Sequence, residues 1–301
     1  MNANKTSEFN QEFGTGRASF MKRQGGLPMI RVETTSSEAE IYLHGAHVTH
    51  FQKRGEAPLL WLSKESRFEA GSPIRGGVPI ILPWFGAREG APAHGFARVK
   101  DWELKEIGLT ADGSVRVHLQ LPPSAEAAAF TPFTADYFVT VGDKLELQLV
   151  IANNSDDREL MMEECLHSYF AVGDISEIAV AGLKGLKYLD KVGGSVEMTE
   201  TNEVITVASE VDRVYMDTTG TVEILDRKLR RKISVEKEGS AATVVWNPWI
   251  AKSKAMADFG DEEYHEMICV ETGNVGKNRL TLAAGKTAVM VARIYSETTN
   301  E

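Results

Sequence analysis

The stretch DYFVTVGDKLELQLVIA, Asp136 to Ala152, decides the fold class. Its two halves, Asp136–Val141 and Leu145–Ala152, alternate apolar with polar side chains. That period of two puts one face of a strand in a core and the other in water. Gly142-Asp143-Lys144 between them is short and glycine-containing, which closes the pair as an antiparallel hairpin. The same alternation spreads outward in both directions. Upstream it runs through Ile41–Phe51, Pro58–Ser63 and, after the turn Ala111-Asp112-Gly113-Ser114, Val115–Leu121. Downstream it recurs at Glu177–Ala181, Val204–Ala208, Thr221–Leu225, Arg231–Glu236, Ala242–Trp246, Met267–Glu271, Leu280–Ala283 and Ala288–Tyr295. Helical spacing is confined to Ser124–Phe130 and Lys252–Phe259, each too short to form a layer. So many short strands predict an all-β chain, a large antiparallel sandwich or closed barrel, with two large curved sheets packed face to face as the first expectation.

Composition narrows the function classes. The 301 residues include 43% hydrophobic and 25% charged, ordinary for a globular protein that folds unaided. A net charge of −10 argues against nucleic acid or an anionic membrane as partner, since both reward a basic face. The N-terminus lacks the apolar core of a secretory signal, and no apolar run is long enough to span a bilayer, so a cytoplasmic protein is expected. Residues 1–25 are polar and predict a flexible arm. With no fixed-period repeat and no Pro/Ser linker, residues 26–301 predict a single β-sandwich domain, working as a monomer or weak homodimer. The two cysteines, Cys165 and Cys269, form no CxxC, so spacing indicates neither a disulfide framework nor a zinc site. His44, His47 and His50 alternate faces and are poorly placed to chelate. Nucleotide-binding and serine-hydrolase motifs are lacking, and no metal or cofactor is expected.

Five stretches could carry chemistry. Pro73–Trp102, PIRGGVPIILPWFGAREGAPAHGFARVKDW, breaks the strand pattern with Gly76-Gly77, Pro79 and Pro83, and concentrates Arg75, Trp84, Phe85, Arg88, His94 and Arg98. Such a loop is either a rigid crossover with solvated arginines or a binding segment. In Glu163–Phe170, read as one strand, Leu166, Ser168 and Phe170 point one way and His167 with Tyr169 the other. His167 is then either a hydrogen-bonded structural residue or a proton carrier. Glu271 closes an apolar strand, either facing water or desolvated into a base. Trp246-Asn247-Pro248-Trp249 offers two flat rings, which suit the C–H faces of a sugar or a plain core. Asp212 either pairs with Arg213 or accepts from substrate hydroxyls.

Taken in order, IRGGVPIILPWFG, AHGFAR, LHSYFAVGDI, GLKGLKYLD, EVDRVY, WNPW with KSKAMADF, and ICVE resemble the glucose-6-phosphate 1-epimerase (hexose-6-phosphate mutarotase) branch of the aldose 1-epimerase family, from about Ile41 to Tyr295. The resemblance implies the galactose-mutarotase-like β-supersandwich. It also implies His167 and Glu271 as catalytic acid and base, Arg75 and Arg98 as holders of a phosphorylated sugar, and His94 and Asp212 as further substrate contacts. Some members carry an amide before that histidine where this chain has Ala93. The implied activity is cofactor-independent interconversion of the α and β anomers of a hexose 6-phosphate. Ordinary values of about 4.3 for glutamate and 6.5 for histidine would suit the two roles. The alternatives are a mutarotase for unphosphorylated aldoses and a non-catalytic carbohydrate-binding sandwich. A glycosidase would need a pair of carboxylates where this chain pairs one with a histidine.

Overall fold

The computed structural model describes residues 16–299. The expected hairpin is present as Phe133–Val141 paired with Leu145–Asn153. Leu145, Leu147, Leu149 and Ile151 are buried while the residues between them are half-buried, the period-two pattern of the sequence. This pair lies within a nine-stranded antiparallel sheet that runs in spatial order from Val204–Ile205 at one edge to Glu103–Leu109 at the other. An eight-stranded antiparallel sheet covers it, with Val211–Met216, Ala242–Asn247 and Met267–Asn274 side by side at its centre. Leu147, Leu149 and Ile151 of the first sheet join Val245, Ile268 and Val270 of the second in one core. The molecule is therefore an all-β sandwich of large antiparallel sheets. A four-stranded sheet, Ala18–Lys22 through His47–Lys53, adds Ile30, Ile41 and Val48 to the same core.

Two boundaries differ from the sequence expectation. The arm expected over residues 1–25 already contains a strand, because Ala18–Lys22 pairs with Pro28–Glu33 and buries Ala18 and Phe20; residues 1–15 lie outside the described chain. The helix expected from Lys252 begins earlier, at Trp249–Ala255. There Pro248 supplies the cap position, Asn247 Oδ1 accepts from the Trp249 N–H at 2.9 Å, and Met256 turns extended.

Several acids are buried, and Glu164 is one of them. Glu164 is 1% exposed, its Oε1 accepts from Asn274 Nδ2 at 2.8 Å, and its Oε2 has no partner among the described residues. Burial pushes its pKa from the ordinary 4.5 up to about 7. The folded state thus binds this proton more tightly than the unfolded chain does. Its contribution to stability is complete below pH 4.5 and is lost as pH rises through about 7. Glu164→Gln, which keeps the acceptor and cannot ionise, is expected to be more stable than wild type at pH 8 by roughly 2–4 kcal/mol, with the difference closing near pH 4. Urea denaturation at the two pH values checks it.

Candidate active site

The eight-stranded sheet has two differently used faces. In Met267–Asn274, Ile268 and Val270 enter the core between the sheets, while Cys269 and Glu271 face the other way. On that outer face lies a cleft of about 570 Å³ lined by Arg75, His94, Arg98, His167, Asp212 and Glu271 among others. All six candidates from the sequence reach one cavity.

Glu271 is interior to its strand instead of closing it. Thr272, Gly273 and Asn274 continue the pairing with Glu164–Leu166, so the carboxylate stands opposite Val244 with 1% exposure. Gly273 permits this close approach, since a Cβ there would lie 2.8 Å from the Glu164 carbonyl oxygen and 2.9 Å from Cys165 Sγ. The stretch expected as one strand through His167 is broken into Glu164–Leu166 and Tyr169–Ala171. The break is a tight turn in which Ser168 N–H donates to the Leu166 carbonyl at 3.0 Å. The alternation survives it. Leu166 and Phe170 go to the core, and His167 and Tyr169 lie parallel on the cleft side with ring centroids 4.7 Å apart.

His167 Nε2 is 3.2 Å from Glu271 Oε1, and Cys165 Sγ donates to Glu271 Oε2 at 3.3 Å. Burial drives the two ionisations in opposite directions. It raises the Glu271 pKa well above the carboxylate range, and it lowers His167 well below the imidazole range, helped by the Arg75 and Arg98 charges. The ordinary values expected from the sequence are therefore overturned. Both shifts favour the uncharged form of each group, so a proton shared by the pair is favoured on the carboxyl group over the ring.

The crossover segment is rigid and folded tightly against the sheets. Gly76 and Gly77 take positive φ against the backbone of Trp61, Leu62 and Val48, and Gly95 does so against Leu82. His94 itself sits at φ +64, and its Nδ1 accepts from the Gly86 N–H at 3.3 Å. With Nδ1 an acceptor, the ring proton is on Nε2, and burial lowers the pKa to about 3. His94 is a neutral donor.

The two arginines differ. Arg75 is committed, with Nε and Nη2 on Asp258 at 3.2 and 3.1 Å and Nη1 on the Tyr169 hydroxyl at 3.0 Å. Arg98 makes one side-chain hydrogen bond among the described residues, to the Ala93 carbonyl at 2.8 Å, and its Nε is buried without a partner. Burial lowers its pKa to about 10, which leaves it charged at neutral pH.

Asp212 does not pair with Arg213. Neighbours in a strand face opposite ways, and Arg213 binds Glu200 at 2.9 Å while Asp212 lies 3.6 Å from Lys252 Nζ in the cleft. Of the two tryptophans in WNPW, Trp246 lines the cleft and Trp249 packs on Tyr264 at 5.1 Å. Lys191, Lys252 and Asp258 were not singled out from sequence. Lys191, just after the strand Lys187–Asp190, and Lys252, on the helix Trp249–Ala255, line the cleft, and only the KSKAMADF run, which contains Lys252 and Asp258, holds a signal for any of them.

A buried histidine–glutamate pair in a cleft with two arginines, on the outer face of a large β-sandwich, suits proton transfer on a small polar molecule. The chain belongs to the aldose 1-epimerase family, whose sequence profile matches residues 28–294. It is 37% identical over 279 residues to a Cenchrus ciliaris protein named "Putative glucose-6-phosphate 1-epimerase", covering 89% of this chain and 84% of that one. An Escherichia coli K12 protein of the same name is 38% identical over 250 residues, covering 82% and 83%. Among solved structures, "a putative mutarotase (YeaD) from Salmonella typhimurium" superposes with a TM-score of 0.85 at 33% identity, covering 94% of this chain and 95% of that one. The fold is the galactose-mutarotase-like sandwich, and the family's chemistry is sugar epimerisation.

Proposed function

We propose that this protein interconverts the α and β anomers of a hexose 6-phosphate, glucose 6-phosphate foremost, by ring opening and closure. The observation that carries the reading is the cleft's division of labour. A His167–Glu271 pair 3.2 Å apart lies buried in it, beside an arginine with unused donors. The names of the relatives support the phosphosugar, and so does Arg98, because a dianionic phosphate in a protein of net charge −10 needs a fixed local cation.

Opening a pyranose removes a proton from the O1 hydroxyl, forms the C1=O1 bond, breaks C1–O5 and places a proton on O5. Glu271 as carboxylate takes the first proton and His167 as imidazolium gives the second. This ion pair carries the same single proton as the neutral pair, moved across the 3.2 Å contact. The substrate itself drives that shift. Burial and the arginine charges together depress His167, and a dianionic phosphate on Arg98 offsets part of the second cause, so binding favours the charged acid. Rotation about C1–C2 exposes the other carbonyl face, and closure reverses both transfers and restores the pair. His94 donates from Nε2 to a sugar oxygen and Asp212 accepts from hydroxyls.

Polarimetry tests the reading. Protein added to freshly dissolved α-glucose 6-phosphate should speed the relaxation of optical rotation, and an unchanged rate would overturn it. A pH expectation follows from the two shifts. The one-proton state is lost at low pH only when His167 gains a second proton, which burial and the arginines oppose. In a pH series of kcat/KM, which reports the free protein, the acid limb should therefore lie below the ordinary histidine value of 6.5.

A further inference from the structure

The catalytic pair has a third neighbour that the proton transfers do not use. His167, Cys269 and Glu271 each offer a ligand atom, and these atoms lie within 4.8 Å of one another. Cys269 and Glu271 are two apart on one strand and so share a face, and His167 comes from the turn that faces them. All three are buried, at 0%, 1% and 7% exposure, on backbone fixed by sheet pairing and by the His167 N–H bond to the Pro79 carbonyl. The His167 ring nitrogen turned away from Glu271, Nδ1, has no hydrogen-bond partner among the described residues, so nothing in the protein locks the tautomer that would block Nε2 as a ligand.

We propose that His167, Cys269 and Glu271 form an inhibitory site for a thiophilic divalent cation, Zn²⁺ foremost. Nitrogen, sulfur and carboxylate oxygen together suit zinc and disfavour magnesium and calcium, which take oxygen donors. A tetrahedral zinc with ligands at about 2.0–2.3 Å separates its donors by roughly 3.3–3.8 Å, so small side-chain rotations from the observed spacing complete the three-donor set. The fourth position opens to the cleft. A cation there displaces the Cys269 thiol proton and the proton on the Glu271 carboxyl group, both released to solvent, and occupies the lone pairs that His167 and Glu271 use on the sugar, so metal and substrate exclude one another. Neither cysteine lies in a recognisable metal motif, because Cys269 and Glu271 meet His167 through strand register and a turn, and Cys269 is 102 residues from His167 in the chain.

The inhibition rests on the proposed mutarotation, and metal binding itself does not. Isothermal titration of the full chain with Zn²⁺ in a non-chelating buffer should show one site, weakened at least tenfold in Cys269→Ser. Co²⁺ added to the wild-type protein should give the intense near-ultraviolet thiolate-to-cobalt absorption, which needs no variant. Zn²⁺ should inhibit anomer exchange competitively with glucose 6-phosphate and be reversed by EDTA, while Cys269→Ser keeps basal exchange and loses zinc sensitivity. Equal zinc affinity in wild type and Cys269→Ser, or a Co²⁺ spectrum without the thiolate band, would overturn the site. Zinc binding with the thiolate band in a protein that exchanges no sugar would sustain the site and refute the mutarotase reading alone.

Discussion

Glu271→Gln is expected to lower kcat for glucose 6-phosphate anomer exchange by about 10²- to 10⁴-fold, the usual contribution of a positioned general base, with sugar affinity within a few-fold of wild type. The glutamine keeps the volume and an oxygen for the Cys165 thiol, so the 3.3 Å contact and the strand pairing with Val244 persist. What it removes is the single proton that the pair passes between carboxyl and imidazole. Exchange rates by NMR together with calorimetric affinities check the split. A near-normal kcat would exclude Glu271 as the base.

The second large effect is expected at Arg98. Charge-assisted hydrogen bonds contribute about 1.5–3 kcal/mol, so Arg98→Ala should raise KM for the phosphosugar by about 10- to 100-fold while free glucose changes little. Arg98 is a cleaner probe than Arg75. Removing Arg75 would strand Asp258 and the Tyr169 hydroxyl, mixing folding with binding. Arg98→Ala has a second signature, because one of the charges that depress His167 is gone. The acid limb of kcat/KM should move to higher pH, and a loss of affinity without that movement would place Arg98 too far away to influence the acid.

Legibility of the chain followed the range of the interactions. The Asp136–Ala152 hairpin was readable because alternation and a glycine turn are local, and its register is set within 17 residues. The alternation around His167 also predicted the side on which it stands, although not the turn that splits the strand. That turn depends on bonds to Pro79 and to the Met267–Asn274 strand, which are distant in sequence. The six residues to which the motif resemblance gives roles line one cleft. Their charge states were not legible. Ordinary pKa values take no account of a carboxyl 1% exposed beside a histidine crowded by two arginines, and burial reverses the expectation for both. The difference between Arg75 and Arg98 was equally hidden, since it turns on Asp258, 183 residues from Arg75.

The most direct test of the account is two-dimensional NMR exchange between the α and β anomeric protons at equilibrium, with glucose 6-phosphate, glucose and galactose run in parallel with and without the protein. The account predicts cross-peaks that grow with protein concentration for glucose 6-phosphate and stay at the uncatalysed level for the free sugars. Equal acceleration of the free sugars would remove the phosphate as selector, and no acceleration of any sugar would contradict the catalytic role given to His167 and Glu271.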